Sequence, residues 1–148
     1  MVQITNTSKV APTIIDARGP RFGAVITTIV LATALATNNV WVIVAQALVF
    51  AIGAFKGPQF TPYAFIFKTL VKPRLKKSGA TEDVRPPQFA QTVGLLFALT
   101  AAAGSFAGLD VVFTIAVAFA LAAAFLNAAF NFCLGCEIYL LLLRARSK

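Results

Sequence analysis

The chain contains no histidine. A histidine metal site, a Ser/His/Asp triad and a histidine general base are therefore all excluded within it. Acidic residues are scarce as well, with 5 Asp and Glu against 13 Lys and Arg and a net charge of +8. Only two cysteines are present, Cys133 and Cys136, too few for a multi-disulfide scaffold. Charged residues make up 12% of the chain and hydrophobic residues 59%, a balance outside the soluble range and inside the membrane range. In a soluble protein the basic excess would suggest nucleic acid. Here it reads as topology signals and lipid-headgroup contacts, and no nucleic-acid partner, cofactor or single-chain metal site is expected.

What is present is a set of long apolar runs. Residues 1–15 are polar and aperiodic and read as a disordered tail. "DARGPRF" (16–22) carries helix-start signals: Pro20 suits a first turn, and Asp16 can cap that start or pair with Arg18. Phe22 to Phe55 is uncharged over 34 residues. As one helix it would measure roughly 50 Å against a hydrocarbon core of ~30 Å. "TNN" at 37–39 divides it into two short spans, 22–37 and 40–55, with Trp41 as an interfacial anchor. Ala34-Leu35-Ala36 looks like a signal-cleavage site, but the leader before it is too long and a second span follows at once.

Further along, "YAFIFKTLVK" (63–72) forms a short amphipathic helix. Tyr63, Ile66, Phe67, Leu70 and Val71 fall on one face, and Lys68, Thr69 and Lys72 on the other. With Arg74, Lys76 and Lys77 these lysines suit the headgroup plane, and Tyr63 the lipid interface. Spans 89–107 and 111–131 follow, separated by "GLD". Ala116, Ala120, Ala124 and Ala128 make a small-residue stripe for close packing inside the bundle, a pattern that also suits an oligomer. Asn127 and Asn131 are costly in hydrocarbon and should bond to a neighbouring helix, with Gln46 and Gln91 as partners.

Every Lys and Arg lies in the N-terminal tail, in 56–85 or in the C-terminal tail. With four spans those regions share one side, which the positive-inside rule makes cytoplasmic. The expected fold is an all-α, four-helix transmembrane bundle. It sits in the plasma membrane with both termini on the cytoplasmic side, and carries a cytoplasmic interfacial amphipathic helix, a membrane domain over 16–143 and a basic tail over 144–148.

Cys133 and Cys136 then sit at the cytoplasmic interface, with Glu137 on the same helical face as a modulator. The C-x-x-C spacing permits a reversible disulfide. The reducing cytosol argues against a purely structural one. If the fourth span ends near Cys133, its carbonyl end disfavours thiolate; if a new helix starts there, its N-terminus favours it. The pair is a candidate redox site. Alternatives are two small packing residues in a scaffold subunit, or half of a metal site shared between two copies.

The stretches "DARGPRF", "PYAFIFKTLVKPRL", "RPPQFAQTVGLLFA" and "NAAFNFCLGCEIYLLLLR" resemble a bacterial, mainly actinobacterial, family of small four-span membrane proteins that is defined as a domain of unknown function. Its C-terminal F-C-x-G-C-x-x-Y motif matches Phe132, Cys133, Gly135, Cys136 and Tyr139. The resemblance implies an integral membrane protein. It also implies a link to the thioredoxin-like proteins and rhodanese-type sulfurtransferases encoded near family members, and so a thiol-redox or sulfur-transfer role for the pair.

Overall fold

The computed structural model describes residues 14–16, 18–74, 81–130 and 132–146. The architecture is an all-α bundle. Helix α1 (Arg18–Thr37) and helix α2 (Val40–Phe55) form the first antiparallel pair. Helix α3 (Pro62–Ile66) continues through one π turn (Phe67–Val71) and one 3₁₀ turn (Lys72–Arg74). Helices α4 (Arg85–Phe106), α5 (Asp110–Phe130) and α6 (Leu134–Arg146) follow. The helices α1 and α4 begin earlier than the uncharged runs do. Pro20, Pro86 and Pro87 lie in their first turns, where a missing N–H costs no hydrogen bond.

Both tight turns close their helices in the same way. After α1, Asn38 takes a left-handed conformation (φ 56°) and the Asn39 N–H reaches back to the Ala34 carbonyl at 3.3 Å. After α4, Gly108 (φ 80°) does the same, and Leu109 N–H donates to Gly104 at 2.7 Å. These bonds satisfy carbonyls that a helix end leaves open. Asn39 then caps α2, its side-chain oxygen accepting the Trp41 N–H at 2.9 Å.

The helices α1, α2, α4 and α5 form a closed ring, α1 touching α2 and α5, and α4 touching the same two from the other side. The core lies toward the two tight turns. Leu31, Ile43, Phe113 and Val117 are enclosed there with Ala34 and Ala101. The alanine stripe of α5 points into this core, with Ala116 and Ala120 buried. A Cβ placed on Gly104 would meet Val112 Cγ1 at 2.7 Å, so α4 and α5 touch closely beside their turn. Large apolar side chains also cover the outside, among them Ile29, Leu48, Leu99 and Ile115. Three helices, α1, α4 and α5, are long and apolar enough to cross a membrane. The helix α2 is as apolar but has only 16 residues.

Two short strands depart from the expected tail and loop. Strand β1 (Ile14–Asp16) pairs antiparallel with β2 (Thr81–Asp83), Ile15 opposite Glu82. The expected disordered tail therefore does not extend to Ile14 and Ile15; residues 1–13 lie outside the described residues. The pairing ties the segment before α1 to the segment before α4.

Candidate functional site

The site is built where regular structure breaks. Helix α5 stops at Phe130 and α6 starts at Leu134, so the cysteines head a new helix rather than end the fourth long one. Two features define the stop. The Phe132 N–H closes a wide turn onto the Leu126 carbonyl at 3.2 Å. Arg21, reaching across from α1, donates Nε to the Ala128 carbonyl at 3.1 Å and Nη2 to that of Ala129 at 3.4 Å. A guanidinium fork thus covers carbonyls that α5 can no longer satisfy internally. Nothing local in the sequence signals a partner for Arg21 more than a hundred positions away.

The new helix is capped by sulfur. Cys133 occupies the position where Ser, Thr or Asp would ordinarily cap. Its Sγ accepts the Cys136 N–H at 3.1 Å, and its carbonyl accepts the Glu137 N–H at 3.0 Å. The two sulfurs are joined as a disulfide, with the Cα atoms 5.1 Å apart. A bonded pair departs from the expectation of thiols kept reduced. Both cysteines are partly exposed, and Glu137 is exposed beside them.

Gly135 lets two helices meet closely. It is helical, and a Cβ there would lie 2.7 Å from both Cα and Cβ of Ala90 on α4. Only a residue without a side chain lets α6 come this close. Phe89 and Tyr139 pack at a tilt beside the contact, ring centroids 5.5 Å apart. Together these contacts press the start of α6, and the disulfide with it, against the first turns of α4.

A cleft of about 1180 Å³ occupies this half of the bundle. Cys133, Cys136 and Glu137 form part of one wall. Arg21, Asp16, Lys68 and Lys72 contribute charge near that end. Deeper in, the lining is apolar and aromatic, with Phe50, Phe97 and Phe119.

The remaining expected site residues are distributed as follows. Tyr63 turns inward rather than to lipid. It is half-buried, its hydroxyl donates to Gln46 Oε1 at 2.6 Å, and burial raises its pKa. Gln46 is therefore engaged by Tyr63 and, among the described residues, by no asparagine. Gln91 lies over Gly53, whose missing side chain leaves room for its amide. Asn127 lines the cleft, and among the described residues neither glutamine bonds to it. Lys68 and Arg74 are exposed. Lys72 is exposed too, but its Nζ lies 3.6 Å from Asp16 Oδ2. Lys76, Lys77 and Asn131 lie outside the described residues.

Asp16 is the electrostatic hub of this end. Arg18 donates Nε and Nη2 to its two oxygens at 3.1 and 2.9 Å, and the Arg18 backbone N–H adds a third bond at 2.9 Å. Those side-chain bonds outweigh burial and hold the carboxyl at a pKa of about 2, with the Arg18 and Lys72 charges helping. Sequence reading also missed Gln88, whose Nε2 donates to the Ala54 carbonyl at 2.9 Å and ties α4 to the end of α2.

Among the described residues no group of three or more His, Cys, Asp and Glu side chains could hold a metal ion. The chain belongs to a family defined as a domain of unknown function, DUF4395, whose model matches residues 15–144. No curated protein and no solved structure matches it.

Proposed function

We propose that this is a multi-pass membrane protein whose Cys133–Cys136 pair cycles between disulfide and dithiol. The partner is a soluble thioredoxin-like protein or sulfurtransferase at the cytoplasmic face. One observation carries the reading: the pair caps a helix N-terminus, partly exposed, in a break between two helices. A sulfur held there accepts a backbone N–H and faces the positive end of the helix dipole, both of which favour thiolate over thiol. In exchange, a partner thiolate attacks one sulfur of the disulfide and forms a mixed disulfide. The other cysteine leaves as thiolate and takes a proton. A second partner thiol then resolves the mixed bond, and the chain is left with two thiols.

The membrane part rests on three helices of spanning length and on the apolar outer faces of the bundle. Helix α2, at ~1.5 Å per residue, is about 24 Å long and crosses with help from bilayer thinning at Lys56. Four crossings bring the basic segments to one side, and positive-inside asymmetry makes that side cytoplasmic. Cytoplasmic reporters fused after Lys148 or inserted at Gly79 should be active, and periplasmic reporters there silent. The reverse pattern would sink the orientation.

The exchange itself is tested by trapping. With Cys136 replaced by serine, the Cys133 thiolate should attack the disulfide form of the soluble partner and hold it as a mixed disulfide that reductant releases. Absence of any trapped species with either single-serine variant would defeat the proposal. A second reading, a non-enzymatic scaffold subunit, draws on the exposed Phe60, Phe65 and Leu70 around α3, a surface that fits lipid or a protein partner. It requires the double-serine variant to retain full function in cells.

A further inference from the structure

We propose that the cleft beside Cys133 and Cys136 is a binding site for a lipid-soluble quinone, and that this quinone is the electron acceptor that re-forms the disulfide. The inference rests on the thiol-exchange reading above, which leaves the pair reduced and in need of an oxidant. Four observations define the ligand. The cleft and the two cysteines share a wall, so a molecule in the cleft meets the sulfurs without crossing another element. The volume of about 1180 Å³ exceeds the usual range for small-ligand sites. It has room for a ring system and part of a chain.

The third observation is the lining. Phe97 and Phe119 face each other across α4 and α5, ring centroids 6.3 Å apart, and Phe50 stands on the same deep wall. These apolar walls suit the hydrocarbon chain of the ligand, which leaves its ring at the end that holds Asn127 and the cysteines. The charged lining residues all belong to the end that holds the cysteines, so the deep part suits a neutral body. Asn127 contributes an amide that can donate to a carbonyl oxygen. The fourth observation is access. Phe119 lines the cleft, is 60% exposed, and lies one turn from Ile115, which is exposed outside the cleft. It sits midway along a helix of spanning length. The cleft therefore reaches the outer face at mid-helix depth, where a water-soluble oxidant would not arrive and a membrane-dissolved one would.

The chemistry balances as a two-electron transfer. The Cys133 and Cys136 thiols lose two electrons and two protons as the S–S bond forms. The quinone gains two electrons and two protons at its two oxygens and leaves as hydroquinone. Glu137, on the same wall as the sulfurs, is placed to pass protons between thiol and oxygen.

The test uses the full chain in detergent micelles, reduced, freed of reductant and kept anaerobic. Decylubiquinone is the probe, since its fully substituted ring resists direct addition of thiols. Quinone absorbance and titratable thiols should fall together, one quinone per cysteine pair. The rate should exceed that of free dithiothreitol at equal thiol concentration by about 100-fold, the scale of a positioning effect. Ala123→Phe, which fills the cleft away from the sulfurs, and Asn127→Leu, a smaller change, should each slow it at least about tenfold. Exchange with a soluble dithiol protein but quinone reduction no faster than by dithiothreitol would overturn the quinone site and leave the exchange reading intact. So would wild-type rates in both variants, or a co-purified phospholipid that decylubiquinone does not displace. Quinone reduction without exchange would uphold the site and overturn the soluble partner instead.

Discussion

The two ends of the bundle are built on opposite principles. The end with the tight turns is closed: its helices stop in left-handed residues with their last carbonyls bonded, Trp41 packs edge-on against Phe106, and the core fills the space behind. The other end is open. Its helices begin and end at proline, π and 3₁₀ turns, Asp16 pairs with Arg18 and Lys72, and a cleft stands where the core would continue. In lipid, helix association draws little on the hydrophobic effect and depends on close packing and polar bonds. Small residues and caps supply these at the closed end. At the open end Arg21, Gln88 and the Gln46–Tyr63 bond supply them, and a cleft remains beside the cysteines.

The same insult delivered at each end should separate these roles most strongly. Gly135→Val forces a side chain into Ala90, and Gly104→Val forces one into Val112. Each should cost ~1–3 kcal/mol by overpacking, read as thermal stability in detergent. Only Gly135→Val should also slow thiol exchange, by roughly 10–100-fold, because it displaces the sulfurs. Equal exchange rates in the two variants would erase the distinction.

A smaller effect is expected at Gly108. Nothing lies within 4 Å of a Cβ built there, and its φ is 80°. The cost of Gly108→Ala is thus backbone strain alone, ~1–2 kcal/mol, with exchange untouched. Tyr63→Phe removes the hydroxyl from Gln46 and should cost ~0.6–2 kcal/mol, the range for bonds between membrane helices. A loss no larger than that of Phe60→Leu would mean the bond contributes nothing.

The smallest effect is the pH dependence at Asp16. Its carboxyl is depressed from 3.8 to about 2 in the folded chain. The depression contributes stability that is fully present above 3.8 and is lost as pH falls toward 2. Asp16→Asn should flatten the stability profile in that window and leave it unchanged near neutrality apart from a constant offset. An unaltered acid limb would remove Asp16 as the hub.

The closed end was readable because its signals are local. "TNN" and "GLD" are turn chemistry, and the uncharged runs between them are long enough to count. The open end depends on distant partners and is correspondingly opaque. "NAAFNFCLGCEIY" has no proline and keeps its apolar character, so the break before Leu134 has no marker; the cap is a cysteine, outside the usual capping set. The packing role of Gly135 was hidden as well, because Ala90 is invisible from its neighbours in sequence. The face of 63–72 slipped for another reason. A π turn fits more residues per turn than the α period assumes. The residues turned inward are thus Tyr63, Phe67 and Val71, while Ile66 and Leu70 stay outside.

The central claim is that the open end presents a reducible cysteine pair to the cytosol, and thiol labelling of oriented membranes tests it most directly. Inside-out vesicles and right-side-out spheroplasts are treated with a charged, impermeant phosphine and then with a membrane-impermeant maleimide of high mass. The account predicts two adducts per chain in inside-out vesicles, none without the phosphine, and none in spheroplasts under either condition. Adducts that appear only after the bundle is denatured, or only in spheroplasts, would contradict it.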